Sequence, residues 1–185
     1  SDAIAQAGAI QAAADNSEDP TVLAEAAAKL GLDPASLGSI FDAALHDMAD
    51  GIDLWTSATN AELYGSLIYH NGWDEPNGGH GHGIYTQNKT AGVKRLQDNI
   101  FFSQYGYNVK VWSTNQFVDN FEFEGNIAFN GGSLSEYASR KFNFFVVGNN
   151  PNAPARNLVV REHYTFAGKT TTTPACNAFG PNYGV

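Results

Sequence analysis

Apolar residues recur at every third or fourth position through the first half of the chain and at every second position through the rest, which predicts helices followed by sheet. Ala3, Ile4, Ala7 and Ile10 share one face of a first helix that fades at Asp15-Asn16-Ser17. Asp19-Pro20 supplies an N-cap and a first-turn proline ahead of Val22, Leu23, Ala26, Ala27 and Leu30, and Gly31 supplies the stop. Asp33-Pro34 repeats the device before a helix with Leu37, Ile40, Phe41, Ala44, Leu45 and Met48 on one face and Asp42, Asp47 and Asp50 on the other. Ala61 to Tyr69 reads as a short helix running into a strand. Thr90 to Phe102 reads as the last helix, with Val93, Leu96, Ile100 and Phe101 along one stripe and Lys94, Arg95 and Asp98 turned away. Beyond Ser103 the period is two: Val109 to Val118 alternates, and Phe121, Phe123, Ile127 and Phe129 share one face while Glu122, Glu124 and Asn126 share the other. Leu134 to Val147 and Leu158 to Phe166 complete the strands, with turn chemistry at Asn130-Gly131-Gly132 and through Gly148 to Asn157.

Consecutive strands joined by short turns predict a strongly twisted antiparallel sheet whose concave face the helices cover, an α+β class. The order of elements, with Gly83-Ile84-Tyr85 leading toward Val93-Lys94-Arg95-Leu96, resembles the NTF2-like or SnoaL-like cone, in which a bent sheet wraps a helix around an internal pocket. On that resemblance the chain divides into an N-terminal helical arm over 1–38, a cone domain over 39–168 and a C-terminal tail over 169–185. The resemblance further implies a pocket for a small apolar molecule, a possible homodimer through the convex sheet, and proton transfer by His, Asp and Tyr at the pocket mouth. Dehydration, cyclisation or isomerisation without a cofactor would follow.

Charge changes the picture mainly by exclusion. Residues 1–80 hold thirteen Asp and Glu against Lys29 alone, and the nine Lys and Arg beyond residue 80 are scattered among carboxylates. A nucleic-acid partner needs a clustered basic surface, which this pattern lacks. No apolar run is long enough to span a membrane. Cys176 is the single cysteine, so no internal disulfide forms, and it has no flanking base to make it a nucleophile. A start at Ser1, a charged fraction of 16% and the sequon Asn88-Lys89-Thr90 together favour a secreted, extracellular glycoprotein.

The densest chemistry lies between Trp73 and Tyr85, where His80, His82, Asp74, Glu75 and two aromatics alternate with Gly78, Gly79, Gly81 and Gly83. Ordering glycine costs the most backbone entropy, so such a stretch is either a flap or a tight path along other backbone. His80 and His82 could ligate zinc or copper with a third ligand from elsewhere, but the spacing alone does not make a metal site. His70, four residues before Asp74, has the pattern of a base oriented by a carboxylate. On the last strand, Arg161 and His163 alternate onto one face and Glu162 and Tyr164 onto the other; if the first faces inward, Arg161 and His163 could bind a carboxylate or an enolate, and if the second does, Glu162 and Tyr164 are the interior polar groups. The candidate catalytic set is therefore His70, Asp74, His82, Tyr85 and His163, with no metal and no cofactor. Trp55, Trp73, Trp112, Tyr64, Tyr69 and Tyr85 read as core, and Asn126, Asn130 and Asn143 as turn or rim groups. The function so predicted is a cofactor-free lyase, isomerase or cyclase. A secreted binding module, or an assembly subunit that packs through its N-terminal arm, is the competing reading.

Overall fold

The computed structural model describes residues 2–15, 19–37, 46–74, 80–89, 92–112, 118–136, 142–148, 154–166 and 176–180. The chain forms two compact units, Ser1–Ala44 and Leu45–Val185. In the first, α1 (Asp2–Asp15) packs against α2 (Pro20–Leu30), with Ala13 and Ala27 fully buried. The punctuation of α2 is the one expected: the Asp19 side chain accepts from the Thr21 and Val22 amides, and Gly31 closes the helix with φ 71°. Asp33 caps a further turn over 34–37, and most of the helix expected beyond it lies outside the described residues.

Among the described residues the regular elements of the second unit are strands: β1 (Ile52–Leu54), β2 (Glu62–Tyr64), β3 (Leu67–Tyr69), β4 (Ile84–Thr86), β5 (Lys94–Gln97), β6 (Ile100–Phe102), β7 (Val109–Val111), β8 (Val118–Glu124), β9 (Ile127–Phe129), β10 (Phe142–Val147), β11 (Ala155–Arg161), β12 (Tyr164–Phe166) and β13 (Cys176–Gly180). Every pairing between them is parallel, and each strand pairs with the one three elements further along. Sheet I runs β1-β4-β7-β10-β13, sheet II β2-β5-β8-β11 and sheet III β3-β6-β9-β12. The chain therefore winds as a three-sided solenoid, a parallel β-helix, each rung contributing one strand to each side.

This overturns the antiparallel cone and its internal pocket. Alternating strands with Asn-Gly corners look the same in sequence whether the chain reverses at each corner or only bends there. Here it bends. Ile68, Phe101, Phe121, Phe123, Val109 and Phe144 fill the middle of the coil, all fully buried, so the interior is packed core. The helix expected over Thr90 to Phe102 is instead β5 and β6, bent at Asp98-Asn99. The helical stripe joined buried Leu96 and Phe101 to half-buried Val93 and Ile100, whose three- and four-residue spacings run across the corner. Lys94, expected to point away, is fully buried and its Nζ donates to the Leu54, Trp55 and Gln87 carbonyls, each at 2.7 Å. Ala61 to Tyr69 likewise forms β2 and β3 with no helix. The supposed tail contains β13, which pairs with β10.

The corner between sheets II and III shows what sets the winding. Gly65, Asp98, Gly125 and Glu162 occupy equivalent places with φ of 62°, 53°, 66° and 49°, a left-handed conformation that turns the chain sharply. The next residue in three of these rungs, Asn99, Asn126 or His163, turns inward. Asn99 donates from both its amide side chain and its backbone N–H to Asn126 Oδ1 at 2.9 and 3.2 Å, and Asn126 Nδ2 donates to the Leu96 carbonyl at 2.6 Å. Asn99 Oδ1 in turn accepts from the Ser66 amide. An asparagine at this place serves backbone groups of two rungs, so Asn126 is a buried tie between them and not a rim residue. Asn143 is buried in the same manner, bridging Gly131 and Asn108.

Three residues further along each rung, Tyr69, Phe102, Phe129 and Phe166 form a column of rings at centroid spacings of 5.0, 4.9 and 4.9 Å, with His46 stacked on Tyr69 at 4.8 Å. These spacings equal the strand separation, so in-register parallel pairing alone brings like rings face to face.

A candidate site on the outer face of sheet I

In-register stacking acts on outward side chains as it does on inward ones. Asp53, Tyr85, Lys110 and Phe145 occupy equivalent positions on β1, β4, β7 and β10, and form one row across sheet I. A second row lies just before the strands. Gly51 N donates to His82 O and Gly83 N to Tyr107 O, which sets Asp50, His82 and Tyr107 side by side. The Asp50 carboxylate accepts the His82 amide at 2.8 Å and faces both imidazoles, with His82 Nδ1 at 3.6 Å and His80 Nδ1 at 3.7 Å.

The centre of the face is Lys110. Its ammonium donates to His82 Nε2 at 3.0 Å and stands 4.7, 5.0 and 5.9 Å from the ring centres of Tyr85, Tyr107 and Trp112. Aromatic faces attract a cation, so these rings hold the charge in place. His82 packs between Tyr85 and Tyr107 at 5.5 and 5.2 Å, and Trp55 meets Tyr85 edge-on at 5.2 Å. Trp55 and Trp73 are 46% and 44% exposed, so these rings are available to a ligand and are not core. The Asp53 carboxyl is raised above the ordinary carboxylate value, by burial first and by the charge of Asp50 next, with His80 pulling the other way. The Tyr85 phenol is raised as well, again by burial first.

The glycine stretch takes the tight path. Gly72 (φ 114°) and Gly81 (φ 142°) lie against each other where Trp73 pairs with His80, and a Cβ on either would strike the facing backbone. Asn71 and Gln104 anchor its base: Asn71 Oδ1 accepts from the Met48 amide, and Gln104 Oε1 accepts the Asn71 amide. Residues 75–79, with Glu75, lie outside the described residues.

Of the candidates read from sequence, His82 and Tyr85 fall within this cluster. The others do not join it. His70, in the left-handed corner after β3, packs edge-on against Tyr69 and Phe102. Asp74, expected to orient His70, accepts from Ser135 Oγ and the Glu136 amide, both at 2.7 Å, and so braces two loops. His163 and Arg161 do not share a face, because Glu162 turns the chain between them. Arg161 reaches out to Glu124, while His163 turns into the coil with its ring 3.8 Å from that of Phe144, where burial pushes its pKa down to about 4. Asn88, the sequon residue, is fully buried and its Nδ2 donates to the Gly92, Asp119 and Asn120 carbonyls, which leaves that nitrogen no room for a glycan in the folded chain.

Sequence reasoning missed Asp50, Asp53, Tyr107 and Lys110. They are far apart in sequence and carry no motif. Aligning Ile52-Asp53-Leu54, Ile84-Tyr85-Thr86 and Val109-Lys110-Val111 as equivalent rungs would have put the middle residues in one row. Among the described residues, no group of three or more His, Cys, Asp and Glu is placed to hold a metal ion. No helix among them is long and apolar enough to cross a membrane. No family model matches the chain, and neither a curated protein nor a solved structure matches it.

Proposed function

We propose that the outer face of sheet I is a proton-transfer site for an extended, hydroxyl-rich ligand, and that it cleaves glycosidic bonds with Asp53 as general acid and Asp50 as its carboxylate partner. The observation that carries the reading is the in-register row Asp53–Tyr85–Lys110 beside Asp50–His82, which gathers five polar side chains on one side of the sheet. Glycosidic cleavage needs two carboxyl groups in unlike settings, one holding a proton and one ionised. Asp53, with its pKa raised, suits the first task. Asp50, which accepts the His82 amide and faces two imidazoles, suits the second. Exposed Trp55 and Trp73 offer flat apolar surfaces to sugar rings. The expected Asp, His and Tyr chemistry is thus kept, but a small apolar substrate is not. That substrate required an enclosed hollow, and the middle of the coil is filled.

The test is incubation with a panel of neutral and acidic polysaccharides, following new reducing ends for hydrolysis and the ultraviolet absorbance of unsaturated ends for elimination. Reducing ends without unsaturation are expected, and Asp53→Asn lowers the rate about 10²- to 10⁴-fold, the usual contribution of a positioned acid. Chain cleavage that survives both Asp53→Asn and Asp50→Asn, or binding without cleavage across the panel, refutes the assignment.

A further inference from the structure

Lys110 is surrounded by groups that fix it, and the identity of its acceptor determines the state of a second residue. An ammonium is a donor only, so the 3.0 Å bond from Lys110 Nζ requires His82 Nε2 to offer its lone pair. An imidazole that accepts at Nε2 carries no proton there. It is therefore neutral, with its one ring proton on Nδ1, the nitrogen turned toward Asp50 Oδ1 at 3.6 Å. The ring has little freedom to choose otherwise. Its side chain is 4% exposed, its backbone amide is fastened to the same Asp50 oxygen, and Tyr85 and Tyr107 pack on it from two sides.

We infer that His82 is a positioning residue: as a neutral Nδ1–H imidazole between Asp50 and Lys110, it holds the Lys110 ammonium at one point within the Tyr85, Tyr107 and Trp112 rings. Lys110 faces the His82 acceptor and the rings of Tyr85, Tyr107 and Trp112, which set its direction. A fixed cation beside Tyr85, in the row that Asp53 begins, gives the face a place where negative charge on a ligand is met without any rearrangement. The role rests on the reading of this face as a proton-transfer site. The arrangement of Asp50, His82 and Lys110 does not, and it is measured separately.

Two measurements on the full chain decide it. Long-range proton–nitrogen NMR reads the tautomer of each histidine, with His82→Gln assigning the signal. Peptide mass spectrometry after brief acetylation reads the reactivity of each lysine amine. The expected result is a His82 ring protonated on Nδ1 alone near neutral pH, and a Lys110 amine acetylated at least about tenfold more slowly than exposed Lys89. His82→Gln, whose side-chain oxygen can still accept from Lys110, keeps that protection. His82→Leu, which cannot, loses it while buried Lys94 stays unlabelled, showing that the fold is intact. A His82 ring protonated on Nε2, or an imidazolium near neutral pH, overturns the inference, as does Lys110 labelling that His82→Leu leaves unchanged. If His82→Leu does not fold, Lys94 labels as well, and the wild-type tautomer together with the His82→Gln comparison then decides between the outcomes. Failure of every polysaccharide to react would end the proposed function and leave these results standing.

Discussion

His163 offers the sharpest quantitative check on the solenoid, because the fold places a titratable ring where two earlier rungs place an amide. It follows Glu162 as Asn126 follows Gly125 and Asn99 follows Asp98, and its ring meets Phe144 edge-on at 3.8 Å inside the coil. Burial pushes its pKa from 6.5 down to about 4. The folded chain therefore stays neutral at a pH where the unfolded chain has already taken up a proton. The stability linked to this ring is present in full above about pH 6.5 and is lost as the pH falls toward about 4. At about 1.4 kcal/mol per pH unit the loss would be about 3 kcal/mol in a dry site, and the partial exposure of the ring to water reduces it to about 1–2 kcal/mol. His163→Asn removes the titration and puts at the fourth rung the residue that bridges rungs two and three. Urea unfolding followed by tryptophan fluorescence reports the solenoid alone, since Trp55, Trp73 and Trp112 all lie in the Leu45–Val185 unit. Between about pH 7 and about pH 4.5 the wild type should lose about 1–2 kcal/mol more than the variant, the other titrating groups being common to both. Equal losses in the two proteins would show that His163 titrates like a free histidine, and the placement of this rung would be wrong.

Three further outcomes follow from the same geometry. Asn126→Ala leaves the Asn99 backbone N–H without its acceptor, the Asn99 side-chain amide with Leu63 O alone and the Leu96 carbonyl without the Asn126 donor, and should cost roughly 2–4 kcal/mol in urea unfolding; a cost under about 0.5 kcal/mol would refute the tie. Phe102→Ala empties the middle of the ring column between Tyr69 and Phe129 and should cost about 3–5 kcal/mol by the same measurement, whereas Phe102→Leu, which keeps most of the volume, should cost less than half of that. Gly81→Ala forces a Cβ into the Asn71 carbonyl at a φ of 142° and should cost on the order of 1–3 kcal/mol. Amide hydrogen exchange should show that loss at Trp73 and His82 first, with β8 and β9 unaffected.

What the sequence made legible was local. The cap, proline and glycine around α2 are short-range devices, and they act as their spacing predicts. The two-residue period of the strands was also plain, since it depends only on which side chains face in. What it could not show was pairing. A strand states that it has an inner and an outer face, but not whether its neighbour is the next strand or the third one on, and in a coil the chain travels two other sides before it returns. The corners added a second confusion, because Val93, Leu96 and Ile100 keep a three- and four-residue spacing across Asp98-Asn99 and so imitate a helix, although Val93 and Ile100 are only half-buried. The site suffered from the same gap. His82 and Tyr85 were conspicuous because they lie in one loop-and-strand segment, whereas Asp50, Asp53 and Lys110 become neighbours only through the stacking of separate rungs.

The corners differ in what they allow. Between sheets II and III every rung turns on the same two places, Gly65-Ser66, Asp98-Asn99, Gly125-Asn126 and Glu162-His163, and an added residue there would put the next strand's core side chains into water. Between sheets III and I the connections vary widely in length, from 103–108 to 70–83, and each departs from and returns to an unchanged coil. Insertions and deletions are thus confined to one long seam, the seam that borders the Asp53 row. A chain wound this way can lengthen or trim the walls beside the Asp53 row, and so change what fits there, without altering a single residue that holds the coil together.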